Sequence, residues 1–149
     1  MPDFPLPSGS DPKLILRPAN GSMAGADLEL SQGHLSQAVQ QYSAILEAVS
    51  TERLSSDGFV KRHISGAARH KRGIAYVLSR EWAAARDDFR EAVLLRPRDP
   101  EPLIDLGFAL LETGDLRESC RAFEQALHLE PASKAAKIGL ADSRFSGGK

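Results

Sequence analysis

The residues best suited to nucleophilic chemistry are a single cysteine and a histidine further along the chain. Cys120 and His128 lie eight residues apart, and the surrounding apolar spacing predicts one helix through both. A thiol and an imidazole act as nucleophile and base only within hydrogen-bonding reach. Eight residues at 1.5 Å each place them about 12 Å apart along the helix axis. We therefore predict that Cys120 is a packed helix residue rather than a nucleophile.

The remaining polar groupings have the wrong spacing for a catalytic or metal site. His63 and His70 are two helical turns apart, whereas two histidines that bind one metal on a helix need a spacing of four. Asp87 and Asp88 are adjacent and point to different faces of a helix, so we expect solvated side chains rather than a catalytic pair. Residues 146–149 read Ser-Gly-Gly-Lys but lack the strand and helix that flank a phosphate loop. We predict no catalytic residue, metal or cofactor, and hence no enzymatic activity.

Composition describes an ordinary single domain. The chain has 149 residues and a net charge of −1, with 42% hydrophobic and 26% charged residues. No apolar run approaches the roughly 18–20 residues that span a bilayer, and the first residues do not resemble a secretory signal. The solitary cysteine fits a reducing compartment. These features predict a cytoplasmic protein without a membrane span.

Charge is distributed unevenly along the chain. Residues 59–80 carry six Lys and Arg side chains and no acidic residue, whereas residues 100–131 have a net charge of −5. One interpretation of the first segment is a basic patch for a phosphate, nucleic acid or acidic ligand, formed by Lys61, Arg62, Arg69 and Arg72. The alternative is a solvated helix face balanced by neighbouring acidic residues. We do not expect nucleic acid, because aromatic stacking platforms are missing near this run.

Apolar spacing predicts helices throughout the chain and no strand. The predicted helices cover about 24–30, 35–49, 59–79, 82–95, 102–112, 116–130 and 135–145. Residues 1–21 contain five prolines, which remove backbone donors and oppose a helix. We predict a disordered tail there, with the aliphatic triplet at 14–16 as a candidate docking segment.

A period of 34 residues connects two parts of the chain. Gly73, Tyr76, Trp82, Ala85, Phe89, Ala92 and Pro97 correspond, 34 positions later, to Gly107, Leu110, Leu116, Ser119, Phe123, Ala126 and Pro131. Fixed periods of this size are typical of stacked repeats of paired helices. The two glycines fall where such helices approach closely, and the aromatic residues fill the remaining volume.

This pattern resembles the tetratricopeptide repeat. The resemblance implies an all-α, right-handed superhelical stack of about three helix-turn-helix hairpins plus a C-terminal capping helix. The repeats would be residues 19–52, 66–99 and 100–133, with an insertion at 53–65, inside a domain of residues 22–146. The capping helix would cover residues 134–145. We expect it to shield the last repeat through Ala135, Ile138 and Ala141 or Asp142, which share one helical face.

Two arginines depart from the family pattern. Arg69 and Arg72 stand where the family has apolar residues that meet the preceding helix. Burying unpaired guanidinium groups would be prohibitive. Their aliphatic stems therefore lie on the interface with the charges in water, or they pair with Glu47 and Glu52, or the insertion rotates this face outward.

The resemblance also implies a peptide-binding groove lined by the first helix of each hairpin. The groove positions are His70, Lys71, Ile74, Val77, Leu78, Ile104, Asp105, Phe108, Leu111 and Glu112. Family members that clamp a C-terminal carboxylate need Lys and Asn at positions that hold Ile74 and Asp105 here, so that role is disfavoured. An apolar strip with charged edges remains, which suits a helical or extended segment of a partner.

The sequence therefore favours a non-catalytic protein-interaction module that acts as an adaptor or assembly factor. One alternative is a scaffold that self-associates, as a homo-oligomer, through the same groove or the N-terminal tail. The other is an acidic-ligand, phosphate or nucleic-acid binder that uses the basic stretch 61–72.

Overall fold

The computed structural model describes residues 21–51 and 57–147. Seven helices and no strand occur in these ranges, which confirms the predicted all-α class. They are α1 (Met23–Ser31), α2 (Leu35–Ser50), α3 (Gly58–Leu78), α4 (Trp82–Leu95), α5 (Pro100–Thr113), α6 (Leu116–Leu129) and α7 (Lys134–Gly147). The predicted disordered tail lies outside the described residues except for Gly21.

Consecutive helices pack in pairs, and the pairs stack in chain order. Helices α1 and α2, α3 and α4, and α5 and α6 form three hairpins, and each second helix also packs on the first helix of the next pair. Helix α7 packs on α6 and α5. The stack is therefore three hairpins closed by a terminal helix, as the sequence predicts.

The stack curves towards its first helices. Helix α3 contacts both α1 and α5, and α5 contacts α7, whereas in the described ranges α2, α4 and α6 make no contacts with one another. Elements on the inside of a curved stack lie closer together than those on the outside. The exposed face of α1, α3, α5 and α7 is therefore the concave one, which we call the concave face.

Two glycines allow the hairpins to close tightly. A Cβ on Gly73 would lie 2.5 Å from the ring of Phe89, and one on Gly107 would lie 2.6 Å from the ring of Phe123. Both rings are fully buried. The glycines therefore stand where the paired helices leave no room for a side chain, as predicted.

The turns within the hairpins share one backbone conformation. Gly33, Arg80 and Gly114 all have positive φ, at 77°, 60° and 84°. Arg80 and Gly114 are one 34-residue period apart, and Gly33 precedes Arg80 by that period plus the 13 residues of the insertion. The weak first repeat thus aligns with the others once the insertion is counted.

Part of the insertion lengthens α3. This helix begins at Gly58, where the side chain of Asp57 accepts a hydrogen bond of 2.9 Å from the amide of Phe59 and caps the helix. Residues 58–65 therefore add about two turns before the repeat begins. Residues 52–56 lie outside the described range.

The predicted packing face of α7 is wrong. Ala135, Ile138, Ala141 and Asp142 are exposed, and the buried face comprises Ala136, Gly139, Leu140 and Ser143. A Cβ on Gly139 would lie 2.2 Å from the ring of Phe123. Close approach to this ring, rather than the largest apolar side chains, decides which face of α7 docks.

Candidate functional site

A small apolar hollow opens on the concave face between α3 and α5. Its volume is about 120 Å³, and it is lined by Ile74, Val77, Leu78, Trp82, Phe89, Asp105, Phe108 and Ala109. Five of these residues belong to the groove predicted from the sequence. Leu78 is 57% exposed at its edge. The hollow therefore presents apolar surface to solvent in the middle of the stack.

Two of the wall residues are fixed by aromatic packing. The ring of Phe108 meets that of Phe123 edge-on, with centroids 4.9 Å apart, and Phe89 forms part of the buried floor. Trp82 begins α4 and contributes to the wall, a role that the sequence analysis missed. A large aromatic side chain at the first position of a second helix is the sequence signal that would have indicated this role.

One predicted groove residue lies in the core instead. Ile104 is 5% exposed and packs with Phe123, Ala136 and Leu140, because α7 covers the side of α5 on which it stands. Leu111 is half-buried and Glu112 is exposed beyond the hollow. The apolar surface of α5 is therefore carried by Phe108 and Leu111.

A histidine and a carboxylate bridge α3 and α5 beside the hollow. His70 Nε2 lies 2.6 Å from Asp105 Oδ2, and the His70 side chain is largely buried, with 13% exposed. The imidazole also meets the ring of Phe89 at 5.8 Å between centroids. This contact holds the Asp105 carboxylate at the rim of the hollow.

A second polar contact joins the first hairpin to α3. Lys71 Nζ donates a hydrogen bond of 2.6 Å to Asp27 Oδ2, and the Tyr42 hydroxyl donates one of 2.6 Å to Asp27 Oδ1. Burial raises the pKa of Tyr42, and the hydrogen bond to Asp27 and the charge of that carboxylate raise it further. Asp27 thus connects α1, α2 and α3 at the concave face.

The two anomalous arginines pair with a buried carboxylate on the next helix. Arg72 donates to Asp88 from Nε and Nη2, both at 2.7 Å, and from Nη1 to Ser43 Oγ at 2.9 Å. Arg69 Nη1 lies 3.6 Å from the same carboxylate. The hydrogen bond to Asp88 raises the pKa of Arg72 against the opposing effect of burial.

This junction corrects two predictions. Asp88 is 3% exposed, so only its neighbour Asp87 lies on a solvated face. Asp88, rather than Glu47, receives both guanidinium groups, and Glu52 lies outside the described residues. Asp88 falls three residues after Ala85 and four before Ala92, both buried, so helical spacing contained the signal that it faces inward.

The four residues of the predicted basic patch do not share one surface. Arg69 and Arg72 border a hollow that also contains Asp87, Asp88 and Glu91. Lys61 lies with Arg69 in a second hollow, and Arg62 borders a third at the turn between α4 and α5. Two of the four cations are therefore already paired with Asp88, whose single negative charge offsets one of their two positive charges.

The residues with catalytic potential take up structural positions. Cys120 and His128 both lie on α6, about 12 Å apart along its axis, and Cys120 packs against the core. His63 stacks on Phe59 at 6.4 Å. Within residues 21–51 and 57–147, no group of three or more His, Cys, Asp or Glu side chains is arranged to hold a metal ion. None of the helices in these ranges is long and apolar enough to cross a membrane.

Solved structures resemble this helical stack over most of its length. The second TPR domain of human RPAP3 matches with a TM-score of 0.65 and 22% identity, covering 80% of this chain and 88% of that one. The first TPR of Spaghetti (RPAP3) matches at 0.70 and 21%, covering 83% and 90%. The Arabidopsis OM64 TPR domain matches at 0.68 and 19%, covering 81% and 89%. The chain has a tetratricopeptide-repeat fold.

The comparison with family models and the comparison with solved structures give different results. No family model matches the sequence. Two of the similar domains were solved with bound peptides: human RPAP3 with the HSP70 peptide SGPTIEEVD and Spaghetti with the HSP90 peptide SRMEEVD. Similarity at this level of identity establishes the fold, and that fold serves as a protein-interaction module in those domains.

Proposed function

We propose that this protein holds a segment of a partner polypeptide on its concave face, without catalysis, as an adaptor or assembly factor. The observation that carries the proposal is the open apolar hollow between α3 and α5, with Leu78 57% exposed at its edge. Exposed apolar surface in a concavity is a typical site for a side chain of a partner.

The position of the hollow supports this proposal further. It lies between two first helices, on the inside of the curved stack, and its rim carries the His70–Asp105 contact at 2.6 Å. A peptide laid across α3 and α5 would insert an apolar side chain into the hollow and meet polar groups on either side. Anchors surrounded by polar rims are usual in peptide recognition.

A pair of exposed leucines provides the test. Leu78→Glu places a charge at the edge of the hollow, whereas Leu94→Glu makes the same change on α4, where the leucine is 74% exposed. Proteins captured from native lysate by the wild type and by Leu94→Glu, but lost from Leu78→Glu, would support the groove. Equal capture by all three proteins would overturn the proposal.

Self-association through the same surface is the rival hypothesis. Sedimentation velocity at two concentrations distinguishes the two, because a homo-oligomer that uses the hollow would dissociate on dilution and in Leu78→Glu. Binding of an acidic ligand has less support, because Arg69 and Arg72 are already paired with Asp88.

A further inference from the structure

The concave face continues from α5 onto α7. The α7 residues that lie one 34-residue period after the predicted α5 groove positions include Ile138, Asp142 and Phe145, and α7 contacts α5 as α5 contacts α3. Ile138 is 60% exposed and Phe145 is 74% exposed. This surface of α7 therefore extends the face that contains the hollow.

The α5 part of this face is acidic, and α7 adds one carboxylate. Four carboxylates lie there, which we call the acidic rim: Glu101, Asp105, Glu112 and Asp142. Asp105 contacts His70. The carboxylates of the other three are on exposed residues and have no hydrogen-bond or ion-pair partner among the described residues. They remain available to a ligand.

The cations nearby offset only the α7 end of this rim, where Lys134 and Lys137 are exposed on the same helix as Asp142. Lys71 stands on the same face but donates to Asp27 at 2.6 Å, so its charge is already compensated. Arg69 and Arg72 point to Asp88 on α4 instead. The α5 part of the concave face, with Glu101, Asp105 and Glu112 and no lysine or arginine on that helix, therefore presents a net negative charge next to an apolar hollow.

We infer that the ligand of this groove is a cationic amphipathic segment, with an aliphatic side chain in the hollow and Lys or Arg side chains paired with the acidic rim. This inference rests on the proposed function. A cavity of about 150 Å³ holds one benzene molecule, so the hollow of about 120 Å³ suits one aliphatic side chain. Opposite charges around such an anchor fix specificity and speed association.

The same charges disfavour the acidic peptides bound by the similar domains. Those peptides end in EEVD, which carries three acidic side chains and a terminal carboxylate. In the same groove they would lie near the carboxylates of the acidic rim, and charges closer together than the Debye length of about 10 Å are only partly screened by salt. Like charges this close lower affinity and select against the wrong partner.

Selection from a random 12-residue peptide library tests the inference without knowledge of the natural partner. The library is selected on the wild-type protein, and peptides that bind Leu78→Asn as strongly are discarded, because this change removes apolar surface from the hollow without adding charge. Peptides that survive depend on the groove. We expect them to combine an aliphatic or aromatic residue with two or more Lys or Arg residues and to bind more weakly as salt is raised.

The outcomes separate this inference from the proposed function. Groove-dependent peptides that are acidic, or that show no charge bias, would overturn the inference and leave a peptide-binding groove in place. A library that gives no groove-dependent peptide would overturn both.

Charge reversal on the protein gives a second, independent measurement. Glu112→Lys should lower the affinity of a selected cationic peptide by about fivefold at low salt, and Asp142→Lys should act in the same direction. Glu130→Lys is the matched control, because this exposed glutamate lies at the end of α6 outside the acidic rim. Equal effects of the reversals inside and outside the rim would overturn the inference.

Discussion

Arg72 donates two hydrogen bonds of 2.7 Å to Asp88, from Nε and Nη2 to the two carboxylate oxygens. The carboxylate is 5% exposed and the guanidinium side chain is 18% exposed, so both charges have left water. The third guanidinium nitrogen reaches Ser43 on α2. One side chain therefore holds α2, α3 and α4 together at the place where the repeat pattern predicts an apolar contact.

Removing the carboxylate alone should be costly. Asp88→Ala leaves Arg72 buried without its partner, and a broken buried ion pair typically costs about 3–5 kcal/mol. We expect a loss of stability in this range by urea denaturation. The double variant Arg72→Met with Asp88→Leu should recover most of it, because apolar replacements of similar size are usually tolerated.

An Asp88→Ala variant as stable as the wild type would contradict this account. If the two proteins unfold at the same urea concentration, the ion pair contributes little to the stability of the junction. Asp87→Ala is the matched control, because this neighbouring aspartate has a side chain that is 69% exposed. Its substitution should change stability by no more than about 0.5 kcal/mol.

Arg80 is a position where glycine should stabilise the protein. It has a φ of 60° where Gly33 and Gly114 have 77° and 84°, and the left-handed conformation costs a residue with a side chain roughly 1–2 kcal/mol. Glycine also increases the conformational entropy of the unfolded chain, which offsets part of the stability gained by relieving this backbone conformation. We expect Arg80→Gly to raise stability by about 1 kcal/mol in thermal or urea unfolding.

The reciprocal change at the equivalent turn is the control. Gly114→Arg should lower stability by a similar amount, since an added Cβ meets no atom within 4 Å and only the backbone conformation is penalised. A destabilised Arg80→Gly would show that the arginine side chain makes a contribution that outweighs the backbone term.

Gly139 should not tolerate alanine, although alanine normally favours helices. Its Cβ would lie 2.2 Å from the ring of Phe123, which is fully buried and cannot move aside. Overpacking of this kind costs about 1–3 kcal/mol. The matched control on the same helix is Gly147→Ala, whose Cβ would meet Leu116 at an ordinary 3.8 Å. Thermal unfolding should separate the two, and equal stability would contradict the fit described for α7.

Alkaline pH should weaken the first hairpin through Tyr42. Burial raises the pKa of this phenol above its usual value of about 10, so the folded protein retains a proton that the unfolded chain releases. The stability that this contributes is present below pH 10 and is lost as pH rises above it. Tyr42→Phe lacks this group but also lacks the hydrogen bond to Asp27, which should cost about 1 kcal/mol at neutral pH.

The free energies of unfolding of the wild type and of Tyr42→Phe should therefore converge as the pH rises. Denaturant unfolding at steps between about pH 8 and pH 11 would show a stability gap that narrows towards the alkaline end. A gap that stays constant across this range would mean that Tyr42 titrates at the same pH in the folded and unfolded chain.

The features that the sequence predicted are those encoded by local spacing. Helix positions follow from apolar periodicity, and the fit of Gly73 against Phe89 follows from a small and a large residue that recur together in both units. Such patterns are repeated, so each copy supports the interpretation of the other. The stack and its hairpins were therefore accessible without coordinates.

The features that the sequence did not predict depend on which neighbouring helix each helix face packs against. Asp88 lies on the helical face of Ala85 and Ala92, but its aspartate side chain suggested solvent, and the cationic partners on α3 that allow its burial are distant in the sequence. Ile104 is apolar like its groove neighbours, yet α7 covers it. The face of α7 follows from the room left by Phe123 rather than from its largest side chains, so hydrophobicity alone pointed to the wrong residues.

The contact among Arg72, Asp88 and Ser43 also determines how α2, α3 and α4 are oriented relative to one another. Apolar helix faces can rotate or slide by small steps and still bury similar area, but a guanidinium that donates to three oxygens admits one orientation. It stands just after the 13-residue interruption of the repeat, where periodic stacking no longer dictates how the first hairpin sits on the second. We expect this contact to fix the position of the first hairpin on the second and so to set the curvature of the concave face between α1 and α3.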